Sequence, residues 1–206
     1  MSILILNSIL IVLFFTPFGL FLSKVNQKNL YSFSTQLLYG LIVLSFIALS
    51  LNFFLPLNRN INSLILIFPL FLIFCNRKTY LSKEFLFFLI SSAFLVSILI
   101  LESNVYRPDA GLYHLPYTKI LNEEKIIFGL SNLHFRYSHI SIIQYLSAIS
   151  NNLIFNDNGI VFAQALFASS IIINFSYQIY IYNKNKNYNF HFFYLVSILI
   201  FIIYKM

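Results

Sequence analysis

Residues 85–101 read FLFFLISSAFLVSILIL, and Glu102 follows at once. At 1.5 Å of rise per residue this uncharged run covers about 25 Å, close to the ~30 Å hydrocarbon core of a bilayer. It reads as a membrane-spanning helix, and the same ruler applied outward finds more. Residues 3–22 and 37–57 are long apolar runs, and 160–181 and 190–204 read the same way beyond the middle of the chain. Residues 61–75 are shorter and contain Pro69, which predicts a short kinked span. Met1-Ser2 supplies neither the basic residues nor the cleavage site of a signal peptide, so the first run reads as a retained helix. The expectation is an all-α integral membrane protein of about six transmembrane helices. It forms one membrane domain over 1–206, with an external loop of amphipathic helices after the fourth span.

Composition agrees with that reading. Of 206 residues 59% are hydrophobic and only 9% charged, with a mean hydropathy of +0.81. A water-soluble domain runs near a quarter charged, so that class is excluded. The lone Cys75 excludes an intrachain disulfide framework and a cysteine-based zinc module. The net charge of +7 would raise the question of nucleic acid in a soluble protein, but here the basic residues lie between apolar runs and read as topology. Lys24, Lys28, Arg77, Lys78, Lys83, Lys184 and Lys186 fall in loops on one side, leaving Arg59 in a short turn on the other. The positive-inside rule then puts the N-terminus and residues 102–155 outside the cytoplasmic membrane. The many Phe, Asn and Lys residues look like codon bias, so Asn-rich stretches carry little functional weight.

Charge collects in residues 102–138, where four acidic and four basic residues cancel. Asp109 follows Pro108 and precedes a one-sided apolar pattern at Leu112, Leu115, Pro116 and Ile120, the position of a helix N-cap. A carboxylate just beyond a span is also placed to take a proton from a hydroxyl or to hold a divalent ion. Arg107, His114, Lys119, His134 and Arg136 share the segment and have the chemistry to meet a phosphate, although Lys119 and Lys125 also read as headgroup-level lysines. Asp109 and His114 are weak metal candidates, five residues apart and out of helical phase unless the backbone bends. Gly129 and Asn132 predict a turn, and an extended segment after it would put His134 and Arg136 on one face. Residues 140–154 split into an apolar face (Ile142, Ile143, Leu146, Ile149) and a polar one (Ser141, Gln144, Ser147, Asn151), the pattern of an interfacial helix. Tyr106, Tyr113, Tyr117, Tyr137 and Tyr145 read as an aromatic belt, and His139 and His191 as headgroup-level polar residues.

Two motifs carry a resemblance. Asp109-Ala-Gly-Leu-Tyr-His-Leu-Pro116 and Gly129-Leu-Ser-Asn-Leu-His-Phe-Arg136 resemble a group of uncharacterised bacterial polytopic membrane proteins. These are similar in turn to GT-C-type glycosyltransferases, which use polyprenyl-phosphate-linked sugars. The resemblance implies that Asp109 is the external-loop acid, acting as base toward an acceptor or as ligand to a divalent metal. It implies that His114, His134 and Arg136 bind the donor phosphate, and that full-length members carry further spans, so that this chain is such a transferase or its N-terminal part. The partners so implied are membrane lipids and a lipid-linked sugar, with no nucleic acid. A non-enzymatic alternative is a lipid–sugar transporter, flippase or assembly-scaffold subunit. Residues 37–57 and 86–100 contain no Asp, Glu, Lys, Arg or His, which counts against ion-coupled transport.

Overall fold

A computed structural model describes residues 2–22, 30–103, 110–138, 141–185 and 195–197, and among these there is helix but no strand. Helix α1 (Ser2–Phe15) tightens into a 3₁₀ segment, Thr16–Phe21, where Pro17 enters. Helix α2 (Leu30–Asn52) ends five residues earlier than the run 37–57 predicts. A broken rod follows: α3 (Arg59–Ile65), α4 (Ile67–Cys75) and α5 (Arg77–Tyr80). Helix α6 (Lys83–Leu101) is capped by Ser82, whose hydroxyl accepts from the Phe85 N–H at 3.1 Å. Next come a π-helical turn (Ala110–His114), α7 (Leu115–Glu123), α8 (Ile142–Ser150) and α9 (Gly159–Asn185).

Four helices are long and apolar enough to cross a membrane: Ile3–Leu20, Phe33–Asn52, Lys83–Leu101 and Asn156–Tyr180. The expected third span is the shorter, interrupted helix Arg59–Cys75. Its break falls at Leu66, because the ring of Pro69 removes the bond that the Ile65 carbonyl would accept. The expected span at 190–204 lies outside the described residues except for 195–197.

Contacts fix the directions of the helices. Phe33 and Phe85 stack edge to face at 5.2 Å, and the Gln36 amide donates to the Tyr80 hydroxyl at 2.7 Å, so α2 and α6 start at one end of the bundle. Ser97 Oγ donates to Ser8 Oγ at 2.9 Å, which sets the start of α1 beside the end of α6. The Asn174 amide reaches Thr35 at 3.4 Å, so α9 runs antiparallel to α2. The start of α1, the ends of α2 and α6 and the described residues of 110–158 therefore share one end, called here the loop end. The rod 59–80 carries the chain back from it.

The bundle has an apolar core in which small polar residues such as Ser8, Thr16, Ser45, Ser92 and Ser97 are also buried, and its outer surface is apolar as well, unlike that of a soluble fold. On α6 the buried positions are Phe85, Phe88, Leu89, Ser92, Ala93, Val96 and Ser97, one helical stripe, while Phe87, Ile90 and Phe94 are about two-thirds exposed. Small residues inside let backbones approach closely, because lipid gives no hydrophobic incentive for helices to associate. A Cβ at Gly40 would overlap the Phe15 carbonyl and one at Gly19 would overlap that of Gln36, so α1 and α2 touch backbone to backbone there.

The loop end departs from expectation in two places. Helix α7 buries Tyr117, Thr118 and Leu121, while Leu112 and Leu115 are exposed. The extra residue per turn of the π segment shifts the helical phase, so the apolar stripe read across 112–120 does not exist as one face. Helix α8 is only nine residues long and is buried on both faces between α2, α7 and α9; it does not lie exposed at an interface. Its polar face is used internally. Ser141 and Gln144 form a capping box, and Ser150 Oγ donates to the Leu146 carbonyl at 2.7 Å.

Side-chain amides close this end. Asn62 Nδ2 lies 2.7, 2.9 and 2.6 Å from the carbonyls of Leu57, Ala148 and Asn151, and Asn122 Nδ2 donates to those of Leu57 and Ala148 at 2.6 and 2.9 Å. Asn52 Nδ2 lies 3.3 and 3.0 Å from the carbonyls of Leu121 and Glu124, and its own carbonyl accepts from the Ile126 N–H at 2.9 Å. Asn62 and Asn122 thus share two acceptors. Losing one should be partly covered by the other, while losing both strands the Leu57 carbonyl, at about 1–3 kcal/mol, and leaves the Ala148 carbonyl only the Asn151 N–H at 3.2 Å. In unfolding experiments in detergent, Asn62→Ala plus Asn122→Ala should destabilise by at least about 1 kcal/mol more than the sum of the single changes; strict additivity would show that the clamp does not act as a unit. Gly40→Val should lower stability by about 2 kcal/mol or more through overpacking, and a wild-type melting temperature for it would contradict the close α1–α2 contact.

Candidate functional site

Helix α7 divides the loop end into two chemically different sides. One side is a cleft of about 780 Å³ lined by Asn58, Arg59, Asn60, Leu115, Lys119, Asn122, Glu123, Asn151, Asp157 and Ile160. Arg59 reaches it from the first turn of α3, a helix started by Asn58, whose side chain accepts from the Ile61 N–H at 3.0 Å. Asn58–Asn60 therefore begin a helix, whereas the sequence reading made them a turn. Asp157 reaches the cleft from the 3₁₀ turn Asn156–Asn158, which Asn156 enters with φ +50°.

These groups form a closed circuit. Arg59 donates through Nη2 to Asp157 Oδ1 at 2.7 Å and through Nε to Asn151 Oδ1 at 3.1 Å. Asn151 Nδ2 approaches Asn122 Oδ1 at 3.1 Å and Asp157 Oδ1 at 3.2 Å. The Arg59–Asp157 pair is partly exposed, at 45% and 76%, so its effect is to fix positions more than to stabilise the fold. Lys119 and Glu123 face the same cleft 3.8 Å apart. The lining offers amides, a guanidinium, an ammonium and two carboxylates. Such a surface can bind a ligand rich in hydroxyls or carrying an anion.

The other side of α7 gathers aromatic and basic groups. Arg136 lies over the Tyr113 ring at 4.8 Å, a cation–π distance, so the two sequence motifs meet in space. Tyr113 packs on His114 at 4.2 Å between ring centres, and His134 packs on Phe135 and Tyr137 at 5.1 and 5.6 Å. Gln144 Oε1 accepts from the Ser141 N–H, so its amide N–H faces His114 Nδ1, 3.2 Å away. In a neutral His114 ring the proton then belongs on Nε2. Tyr117 and Tyr145, both buried, share a hydrogen bond beneath this cluster, and burial pushes both phenols above their ordinary range, so they remain protonated donors.

Of the residues expected to carry chemistry, Arg107 and Asp109 lie outside the described residues, as do Tyr106, His139 and His191. His114, His134 and Arg136 are brought to one side of α7, and Lys119 to the other. Residues 134–138 are not extended: a 3₁₀ turn, Phe135–Ser138, replaces the expected strand-like pairing, and the Arg136 N–H donates to His134 Nδ1 at 3.3 Å. The expected turn at Gly129 is present, with φ +81° and its carbonyl accepting from the Asn132 N–H at 2.9 Å. The tyrosines do not form a belt, since Tyr117 and Tyr145 are enclosed by α7 and α8. Among the described residues no group of three His, Cys, Asp or Glu side chains converges in a way that could hold a metal, and His114 is the only expected ligand within them.

Sequence reasoning missed Arg59, Asn151 and Asp157. The available signal was the density of polar side chains beside span ends, at 58–60 and 156–158, which the overall abundance of Asn obscured. No curated protein and no solved structure matches the chain. One family description, a domain of unknown function designated DUF8201, matches residues 1–206. The chain, a helical bundle with a polar cleft at its loop end, belongs to that family.

Proposed function

We propose that the protein is a GT-C-like membrane glycosyltransferase, or the N-terminal part of one, that moves a sugar from a polyprenyl-phosphate-linked donor to an acceptor at the outer face of a bacterial cytoplasmic membrane. The observation that carries this reading is the 780 Å³ cleft of charged and amide groups at one end of a bundle whose outer surface is apolar. A lipid-linked sugar presents its hydroxyls and phosphate at that depth while its tail stays in the bilayer. The resemblance of the two motifs adds to this, as does the contact between them. In this reading the broken rod 59–80 and residues 190–204 complete six spans. The basic loops face the cytoplasm, so the start of the chain and 102–155 face outward.

The chemistry follows from the groups. Asp109 takes the proton of the acceptor hydroxyl as that oxygen bonds to the anomeric carbon. The bond from that carbon to the phosphate oxygen breaks, its electron pair leaves with the phosphate, and Arg107, His114, His134 and Arg136 stabilise the added charge. A divalent ion held by Asp109 is compatible with the same step. Arg59, Lys119 and the cleft amides, across α7 from those groups, hold hydroxyls of the acceptor. One observation favours a non-enzymatic alternative, a flippase or scaffold subunit that binds lipid-linked sugar: the Asp157 carboxylate is already engaged by Arg59 and Asn151, an arrangement suited to holding a ligand.

Membranes from cells making the full-length protein, supplied with a radiolabelled polyprenyl-phosphate sugar, should label an endogenous acceptor. Asp109→Asn should reduce that labelling by about 10²- to 10⁴-fold. Equal labelling by the variant, or none above membranes lacking the protein, would overturn the transferase reading, and retained donor binding without transfer would favour the scaffold. Arg59→Met should weaken use of the acceptor, lowering the labelling by about tenfold or more, the loss of one charge-assisted hydrogen-bonding group. Labelling equal to wild type would remove Arg59 from the site.

A further inference from the structure

The side of α7 away from the cleft opens to an apolar surface that the polar-loop reading of 102–138 leaves unexplained. Residues 125–137 read KIIFGLSNLHFRY, with Lys125, His134 and Arg136 but no acid. Phe128 and Leu133, on either side of the Gly129 turn, are 85% and 80% exposed. The segment is not free to turn these groups inward. Its start is tied to the end of α2 by the Ile126 N–H donating to the Asn52 carbonyl, and Gly129 fixes the turn.

The patch continues a stripe already directed at lipid. Ile42, Phe46, Leu49 and Phe53 climb one face of α2, and Leu49 and Phe53 end as the wall of a groove of about 340 Å³ completed by Ile127, Phe128 and Tyr137. Lys125 stands on the rim of the same groove. An apolar surface of this kind is rarely left to water. Long basic side chains beside it reach the headgroup layer of a leaflet carrying anionic lipid.

We infer that residues 126–137 are an in-plane wedge sunk into one leaflet. Its occupant is anionic phospholipid: an acyl chain lies in the groove between α2, α7 and the Gly129 turn, and the headgroup phosphate lies at Lys125 on its rim. The segment is therefore a lipid-bound floor beside the cleft. This rests on the membrane setting of the bundle and not on the transferase reading.

The test uses the full chain in nanodiscs of phosphatidylcholine and phosphatidylglycerol, in a Cys75→Ser background. Bimane is attached at Phe128→Cys, Leu133→Cys or, as an exposed control at the opposite end, Lys78→Cys. Nitroxide-labelled phospholipid should quench the probes at 128 and 133 at least twofold more than the control, and aqueous iodide should quench them at least twofold less. Iodide quenching equal to the control, or protection from both quenchers as a second copy of the chain would give, overturns the inference. Unlabelled wild-type protein is tested in parallel with a photoactivatable phosphatidylglycerol. Adducts should map to 126–137 more than to 115–123, and the reverse distribution would overturn it. Lys125→Gln should cut those adducts at least twofold, and an unchanged yield would remove the headgroup assignment.

Discussion

Everything at the loop end depends on one constraint: backbone carbonyls enclosed at the edge of a bilayer must find donors within the protein. The bundle meets it with asparagine amides. The chain leaves α2 at Asn52, turns back at Leu57 and ends the short helix α8 at Ser150. Asn62 and Asn122, from α3 and α7, converge on the carbonyls of Leu57 and Ala148, while Asn52 reaches across to those of Leu121 and Glu124. Together with the backbone bonds from the Leu57 N–H to the Leu121 carbonyl and from the Ile126 N–H to the Asn52 carbonyl, these amides tie the turn 53–58 to α7 and α8.

That clamp decides where the polar chemistry sits. Asn122 and Asn151 serve the clamp and the cleft together, since the side chain of Asn151 joins Asn122 to the Arg59–Asp157 pair. The ligand-facing groups are therefore attached to the same elements that hold the fold, which limits how far they can drift. On the opposite side of α7, buried Tyr117 and Tyr145 support the cluster in which Arg136 meets Tyr113. A single nine-residue helix thus presents a charged wall to the cleft and an aromatic one to the apolar groove.

Much of the helical layout was readable directly. The runs around residues 3–22, 85–101 and 160–181 are uncharged and mostly apolar, and length identifies them. The turn at Gly129 was also readable, because a glycine closely followed by Asn132 marks a conformation other residues avoid. What misled were patterns whose meaning depends on neighbours. The stripe at Leu112, Leu115, Pro116 and Ile120 assumes one continuous α-helix, and a π turn changes the phase within it. The two-faced pattern of 140–154 suggests an interface, but a polar face can equally be buried when amides and hydroxyls of other helices complete it. Arg59 was read as a lone topological charge because its partner Asp157 is 98 residues away.

By itself the sequence determined that this chain is a bundle of apolar helices with its charge gathered at loops, because crossing a hydrocarbon layer requires uninterrupted apolar length and little else. It also marked 102–138 as the segment where charge of both signs gathers, since charges avoid the bilayer core. The tertiary structure decided which polar groups meet. Hydrogen bonds between Asn62 and Ala148, or Arg59 and Asp157, act over a few ångströms between residues far apart in the chain, and no local periodicity encodes them. Only the packing of α3, α7 and α8 at the loop end brings them within reach.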